Sequence, residues 1–207
     1  MVSVYKKILG HPFVYERIRP RVVGGIDYTA FYELLDRESR TAIVDVGCGT
    51  GDALRYLDGC ESYLGVDTDP VAIEVAKKRA ANRPGFRFEC RTLEAKDIHA
   101  LAPTAVVLTG VIHHLSNEDA ESVLAMAAAS PRLRLVATLD IVFIPGRFYN
   151  NLLAMMDRGR FCRVPDAYAD LARRAGFDVA RAFTMPSAPG NEKVYYHGMV
   201  LEKRRGS

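Results

Sequence analysis

Apolar runs rich in β-formers recur along the chain at Thr41–Val46, Ser62–Val66, Phe86–Cys90, Ala105–Thr109 and Leu133–Ile141. Most are near-continuous rather than alternating, the pattern of strands buried on both faces of a parallel sheet. Helical segments separate most of them. Asp69-Pro70 predicts a helix start, with Asp as cap and Pro in the first position. The helix Val71–Ala81 that follows carries Lys77, Lys78 and Arg79 near its end, where the helix dipole favours positive charge. Residues 116–119 read as a variant capping box before a helix over Ala120–Ala129. Pro165 opens a helix over Asp166–Ala175, and Gly176 closes it. Phe177–Met185 and Lys193–Glu202 then follow with no helix between them, which predicts an antiparallel hairpin joined through residues 186–191. The pattern as a whole predicts an α/β fold in a single domain over residues 1–207.

Two segments stand outside these repeating units. Residues 1–40 form a mostly helical N-terminal cap carrying Lys6, Lys7, Arg17, Arg19 and Arg21. Residues 142–164 are an insertion after the fifth strand, rich in Phe, Tyr and Met. Additions at the carboxyl ends of parallel strands lie over the ligand cleft, so both are candidate lids.

Composition narrows the picture only slightly. A net charge of +3 is too small to argue for a nucleic-acid partner. No apolar run approaches the ~20 residues of a membrane span, so stable membrane insertion is not expected. Cys48, Cys60, Cys90 and Cys162 stand apart without a paired motif, and the N-terminus shows no cleavage signal. A reducing, cytoplasmic setting is the expectation. The residue pattern does not define an oligomeric state.

The first strand breaks into Asp45-Val46-Gly47-Cys48-Gly49-Thr50-Gly51-Asp52, and the second ends in Asp67, 22 residues after Asp45. In an open parallel sheet this is where a ligand sits. Glycines allow unusual backbone angles and close approach of a ligand to the chain. A helix after the loop would aim its first amides at an anionic group, and Asp67 can accept both hydroxyls of a ribose. The dinucleotide spacing G-x-G-x-x-G/A fails in either register, because the third position holds Asp52 or Leu54.

The spacing Asp45-x-Gly47-x-Gly49-x-Gly51 instead resembles the first motif of class I S-adenosylmethionine-dependent methyltransferases. Residues 106–115, Val-Val-Leu-Thr-Gly-Val-Ile-His-His-Leu, resemble the fourth motif of the ubiquinone/menaquinone C-methyltransferase-like branch. The terminal hairpin is similar to that family's reversed strand, and the resemblance covers roughly residues 40–205. It implies a Rossmann-like, seven-stranded mixed sheet with the last strand antiparallel and helices on both faces. It implies S-adenosylmethionine as cofactor. Asp45 would then orient the loop and reach toward the methionine ammonium, and Gly47, Cys48, Gly49 and Gly51 would line the methionine end. Asp67 would hold the ribose and Thr68 would pack beside the adenine. Thr92, Leu93 and Gly110 complete the implied cofactor set; the acid often found after the third strand is replaced here around Arg91-Thr92-Leu93, with Glu94 nearby.

Methyl transfer requires an aligned nucleophile, exclusion of water and sometimes removal of a proton. His113 and His114 are the candidate bases, since imidazole titrates near neutrality; the alternative is that the pair shapes its loop. Phe143, Arg147, Phe148 and Tyr149 are candidates for a substrate pocket, with core cover as the plainer role. Asp140 ends the fifth strand, yet no spacing with the histidines supports a metal, and none is expected. The chain lacks the Asn-Pro-Pro-Tyr motif of amide- and adenine-methylating branches, so the expected substrate is a small molecule with an O, N or C nucleophile. Three other readings stay open: a non-methylating protein binding the cofactor or a partner on this scaffold, an enzyme using the sulfonium only electrostatically, and, less favoured, a nicotinamide-dependent oxidoreductase.

Overall fold

The computed structural model describes residues 26–157 and 159–204. Of the expected helical cap over residues 1–40, the first 25 lie outside the described residues. The rest holds a one-turn helix, α1 (Thr29–Tyr32), which buries Phe31 and Tyr32. Asp27 N–H donates to the Ser187 carbonyl, tying this entry to the terminal hairpin.

Seven strands form one sheet: β1 (Ala42–Val46), β2 (Ser62–Asp67), β3 (Phe86–Cys90), β4 (Ala105–Thr109), β5 (Leu135–Ile141), β6 (Phe177–Ala188) and β7 (Asn191–Lys203). Their spatial order is β3-β2-β1-β4-β5-β7-β6, and only β7 runs antiparallel to its neighbours. The helices between strands are α2 (Pro70–Arg79), α3 (Ala95–Leu101), α4 (Asn117–Ala128), α5 (Phe148–Met156) and α6 (Pro165–Arg174).

Side chains of the buried strands alternate between two cores. Ile43, Tyr63, Val107 and Leu139 face one side, with α1, α2 and α5 packed over them. Val44, Leu64, Val106 and Val136 face the other, under α3, α4 and α6. Strand order reverses at β1, which pairs with β2 along one edge and with β4 along the other. The two strand ends that carry the glycine loop and residues 110–115 are therefore adjacent.

Local signals behave as the chemistry requires. Asp69 caps α2 by accepting from the Val71 and Ala72 amides, and Ser116 Oγ accepts from Asp119 N–H at the start of α4. That helix begins at Asn117 rather than Ala120, because the capping residues themselves enter it. The hairpin strands run further than expected and close through Pro189-Gly190, where Gly190 takes φ +78°.

One expectation fails. The full helix after the glycine loop is a single 3-10 turn, Asp52–Arg55. Only residues 52–61 separate the loop from β2, and Asp58-Gly59, with Gly59 at φ +79°, breaks the chain within them. No crossover helix fits, so the loop lacks a helix dipole aimed at an anion. Arg79 at the end of α2 fills part of the gap by donating to the Thr50 carbonyl, Thr50 Oγ1 and Asp52 Oδ1.

Candidate functional site

A cleft of about 710 Å³ opens over the switch point between β1 and β4. Gly47, Gly49, Asp67, Thr68, Thr92, Leu93, Gly110 and His114 line it, so eight of the residues singled out in the sequence share one site. Leu115, Val123 and Met126 add an apolar wall from the α4 side. Leu115 closes the 106–115 motif, but nothing in the residue pattern marks Val123 and Met126, because apolar positions on α4 serve the core equally well.

The glycine loop is held in shape by backbone angles that side chains resist. Gly47 has φ +69°, and a Cβ there would collide with Cγ2 of Val111 from the facing loop. Gly49 has φ +52° with nothing within 4 Å of a built Cβ, so its open side faces the cleft. Gly49 N–H donates to Asp67 Oδ2 at 2.8 Å, while Asp69 N–H donates to Oδ1 at 2.9 Å. Both carboxylate oxygens keep further lone pairs for a ligand hydroxyl. Gly51 lies outside the lining; it takes φ +76°, and a Cβ there would press on Ala76, Leu54 and Phe88.

Behind the loop lies a smaller cavity of about 130 Å³, bounded among others by Tyr28, Tyr32, Asp45, Cys48 and Thr109. Asp45 is 1% exposed. Its Oδ2 accepts a 2.6 Å hydrogen bond from the Tyr63 hydroxyl, and its Oδ1 is buried without a hydrogen-bond partner. Burial pushes the Asp45 carboxyl up to about 7; the Tyr63 bond opposes this, and the charge of Asp67 adds to it. Burial also holds the Cys48 thiol well above its usual range, which keeps it neutral and suits a spacer. Tyr63, the hydrogen-bond partner of Asp45, is a residue of this site that sequence reading missed. The signal was present, since Tyr63 precedes Gly65, the partner of Asp45, by two positions and shares its face.

The two histidines part company. His114 is exposed and lines the cleft. His113 is 2% exposed and sits between two acids: Nδ1 lies 2.8 Å from Asp140 Oδ1, and Nε2 lies 3.1 Å from Asp157 Oδ2. The second contact is an ion pair without the alignment of a hydrogen bond. Burial alone would depress the imidazole, but the two carboxylates outweigh it and raise His113 to about 9. His113, His114 and Asp157 bring ligand-type atoms within 4.8 Å of one another. The flanking acids already account for the position of the His113 ring.

His113 is also where the insertion is fastened. Phe161 N–H donates to its carbonyl, and Arg163 donates to the carbonyls of Ile112 and Leu115. The candidate substrate residues lie elsewhere. Phe143 packs against the core. Arg147, Phe148 and Tyr149 line an open hollow of about 370 Å³ with Glu192 and Lys193, which shares no lining residue with the cleft. Phe148 is 81% exposed there.

Residues 44–131 match the family model described as a methyltransferase domain. A comparison with curated protein sequences gives no match. Among solved structures, human N-acetylserotonin methyltransferase in complex with SAM is similar at 16% identity and a TM-score of 0.62, covering 84% of this chain and 51% of its own. NcsB1, an O-methyltransferase from neocarzinostatin biosynthesis solved with SAM and 2-hydroxy-5-methyl naphthoic acid, gives 21% identity, a TM-score of 0.63, and coverage of 86% and 53%. RosA, the N,N-8-amino-8-demethyl-D-riboflavin dimethyltransferase of Streptomyces davawensis, gives 19%, 0.63, and coverage of 95% and 61%. The chain spans little more than half the length of these proteins. At such identities the likeness is one of fold, and it bears out the expected Rossmann-like sheet with its reversed strand.

Proposed function

We propose that this protein is an S-adenosylmethionine-dependent methyltransferase acting on a small molecule. The observation that carries the reading is the joined cleft, in which the glycine loop, Asp67 and the 110–115 loop line one space. The match of residues 44–131 to a methyltransferase domain supports it.

The residues present suit that cofactor. Gly49 leaves its cleft side open to a close ligand. Asp67 has acceptor capacity for a ribose, and Asp45 holds a buried, unpartnered oxygen for a cationic amino group. Leu93, Leu115 and Met126 offer apolar surface for an adenine, with Thr68 beside them. When bound, the cofactor supplies a methyl group already activated on a sulfonium.

The chain's own work is alignment and the handling of a proton. His114 is the imidazole on the cleft and the one we assign to receive a proton from an O, N or acidic C nucleophile. His113 has carboxylates at both nitrogens, so we assign it to holding the loop. The small-molecule class is supported by NcsB1, whose structure holds a naphthoic acid, and by RosA, named for a modified riboflavin. The 106–115 segment supports kinship with the ubiquinone/menaquinone C-methyltransferase-like branch. The four unpaired cysteines fit a cytoplasmic setting. Among the described residues, no helix is long and apolar enough to cross a membrane.

Calorimetric titration with S-adenosylmethionine, S-adenosylhomocysteine and NAD, each alone, tests the reading. Micromolar binding of the two sulfur nucleosides and none of NAD is expected. Binding of NAD alone, or of none, overturns it.

A further inference from the structure

Asp45 and Tyr63 form a buried pair whose second member has no role in holding the cofactor directly. The parallel register sets Asp45 opposite Gly65 and Ile43 opposite Tyr63, with all four on one face of the sheet. The Tyr63 ring therefore starts one pair behind Asp45 and extends along the strand to reach Oδ2. Phe86 stacks on that ring at 5.0 Å and Phe88 packs against it at 5.3 Å, which leaves the hydroxyl little freedom. Tyr63 is fully buried. One carboxylate oxygen is thus fixed from behind, and the other, Oδ1, is the buried atom left without a hydrogen bond.

We propose that Tyr63 is a positioning residue for Asp45, holding one carboxylate oxygen so that the other is presented, ionised, to the cationic amino end of the cofactor. The proposal rests on the cofactor reading for its ligand, but the pair itself exists without one.

The groups around Asp45 explain why such a partner matters. Tyr28 from the segment before α1, Tyr32 from α1, Tyr63 and Asp67 from β2, and Cys48 and Asp52 from the loop surround it, and none carries positive charge. Burial among them favours the protonated acid, which cannot pair with an ammonium. The Tyr63 hydroxyl is the donor that opposes this, since a hydrogen bond to the charged form stabilises it. Removing the hydroxyl while keeping the ring should move the ionisation midpoint of Asp45 upward and so lower cofactor affinity at neutral pH.

Two measurements decide the matter. The first follows the Asp45 carboxyl carbon by NMR through a pH titration of the ligand-free protein, comparing wild type with Tyr63→Phe. The wild-type midpoint is expected at about 7, with the variant's at least about one pH unit higher. An unmoved midpoint overturns the proposal whatever the ligand is. The second measures S-adenosylhomocysteine affinity by calorimetry between pH 6 and 8.5. Tyr63→Phe should lose about fivefold at pH 7, because a midpoint one pH unit higher cuts the charged fraction from about a half to about a tenth. Most of that loss should be recovered by pH 8.5, where both proteins are largely ionised. A uniform loss at every pH marks a purely structural role and sinks the idea. Asp45→Asn should bind weakly, with the wild-type pH slope abolished over this range; persistence of that slope also overturns it. If wild type binds no cofactor at any pH, the cofactor reading and its ligand end fail, while the NMR result still judges the pair.

Discussion

Asp67 accepts the Gly49 amide at 2.8 Å, a bond that joins the end of β2 to the middle of the glycine loop. The same carboxylate accepts from Asp69 at the start of α2. A single acid thus fixes the loop, the strand end and the next helix start. It is also the acid we propose for the ribose, which gives its removal two separable consequences.

Asp67→Ala should lower S-adenosylhomocysteine affinity by at least about tenfold, as expected for losing a charged acceptor worth roughly 1.5–3 kcal/mol. Asp67→Asn keeps one acceptor oxygen and should lose less. Calorimetry on both variants checks the order. Equal affinity of Asp67→Ala and wild type would remove the ribose assignment.

Gly47→Ala should be worse than its size suggests. The residue sits at φ +69°, and the new methyl would meet Val111, which lines the opposite wall of the cleft. Strain and collision together should cost on the order of 1–3 kcal/mol of stability and displace the 110–115 loop. Thermal unfolding and cofactor titration of the same variant would show both losses. Gly49→Ala, with no atom near the built Cβ, should unfold closer to wild type and lose mainly binding.

The sheet was legible because its signals are local. Apolar runs marked the strands, and Asp69-Pro70, Ser116 and Gly176 marked helix ends through caps and turns that act within a few residues. The residues we propose for the cofactor were legible because Asp45, the glycines and Asp67 stand at strand ends, where topology brings them together. The Asp157 contact with His113 was not legible. It crosses from the insertion to the β4 loop, and no spacing in the sequence foretells which residue of an irregular segment reaches a buried ring. Two adjacent histidines read alike as letters, yet a 3-10 turn sends one inward and the other to the cleft. The missing crossover helix was a question of length, set by residues 52–61.

Arg79 should matter more for order than for stability. Its bonds to Thr50 and Asp52 replace part of what a longer helix would give the loop, but both ends are well exposed. Exposed pairs contribute about 0–1 kcal/mol. Arg79→Ala should therefore leave the melting temperature nearly unchanged while hydrogen exchange quickens at residues 48–52. Unaltered exchange there would mean the glycines hold the loop unaided.

His113 should impose a pH dependence that can be isolated by subtraction. Its folded value of about 9 lies above the ~6.5 of an unfolded imidazole, so protonation favours the folded state. The contribution is full below pH 6.5, shrinks as pH rises from there, and is gone above 9. Its size is on the order of 3 kcal/mol, with Asp140 and Asp157 supplying it against the cost of burial. His113→Gln cannot take the proton and leaves two buried acids facing a neutral amide, so it should be destabilised throughout. The gap between wild type and variant should be widest at and below pH 6.5 and narrow by about that amount at pH 9, because titrating groups remote from His113 cancel in the difference. Denaturant unfolding of both proteins at the two pH values measures the gap directly. A constant gap would mean that His113 is neutral in the fold and holds the loop without its charge.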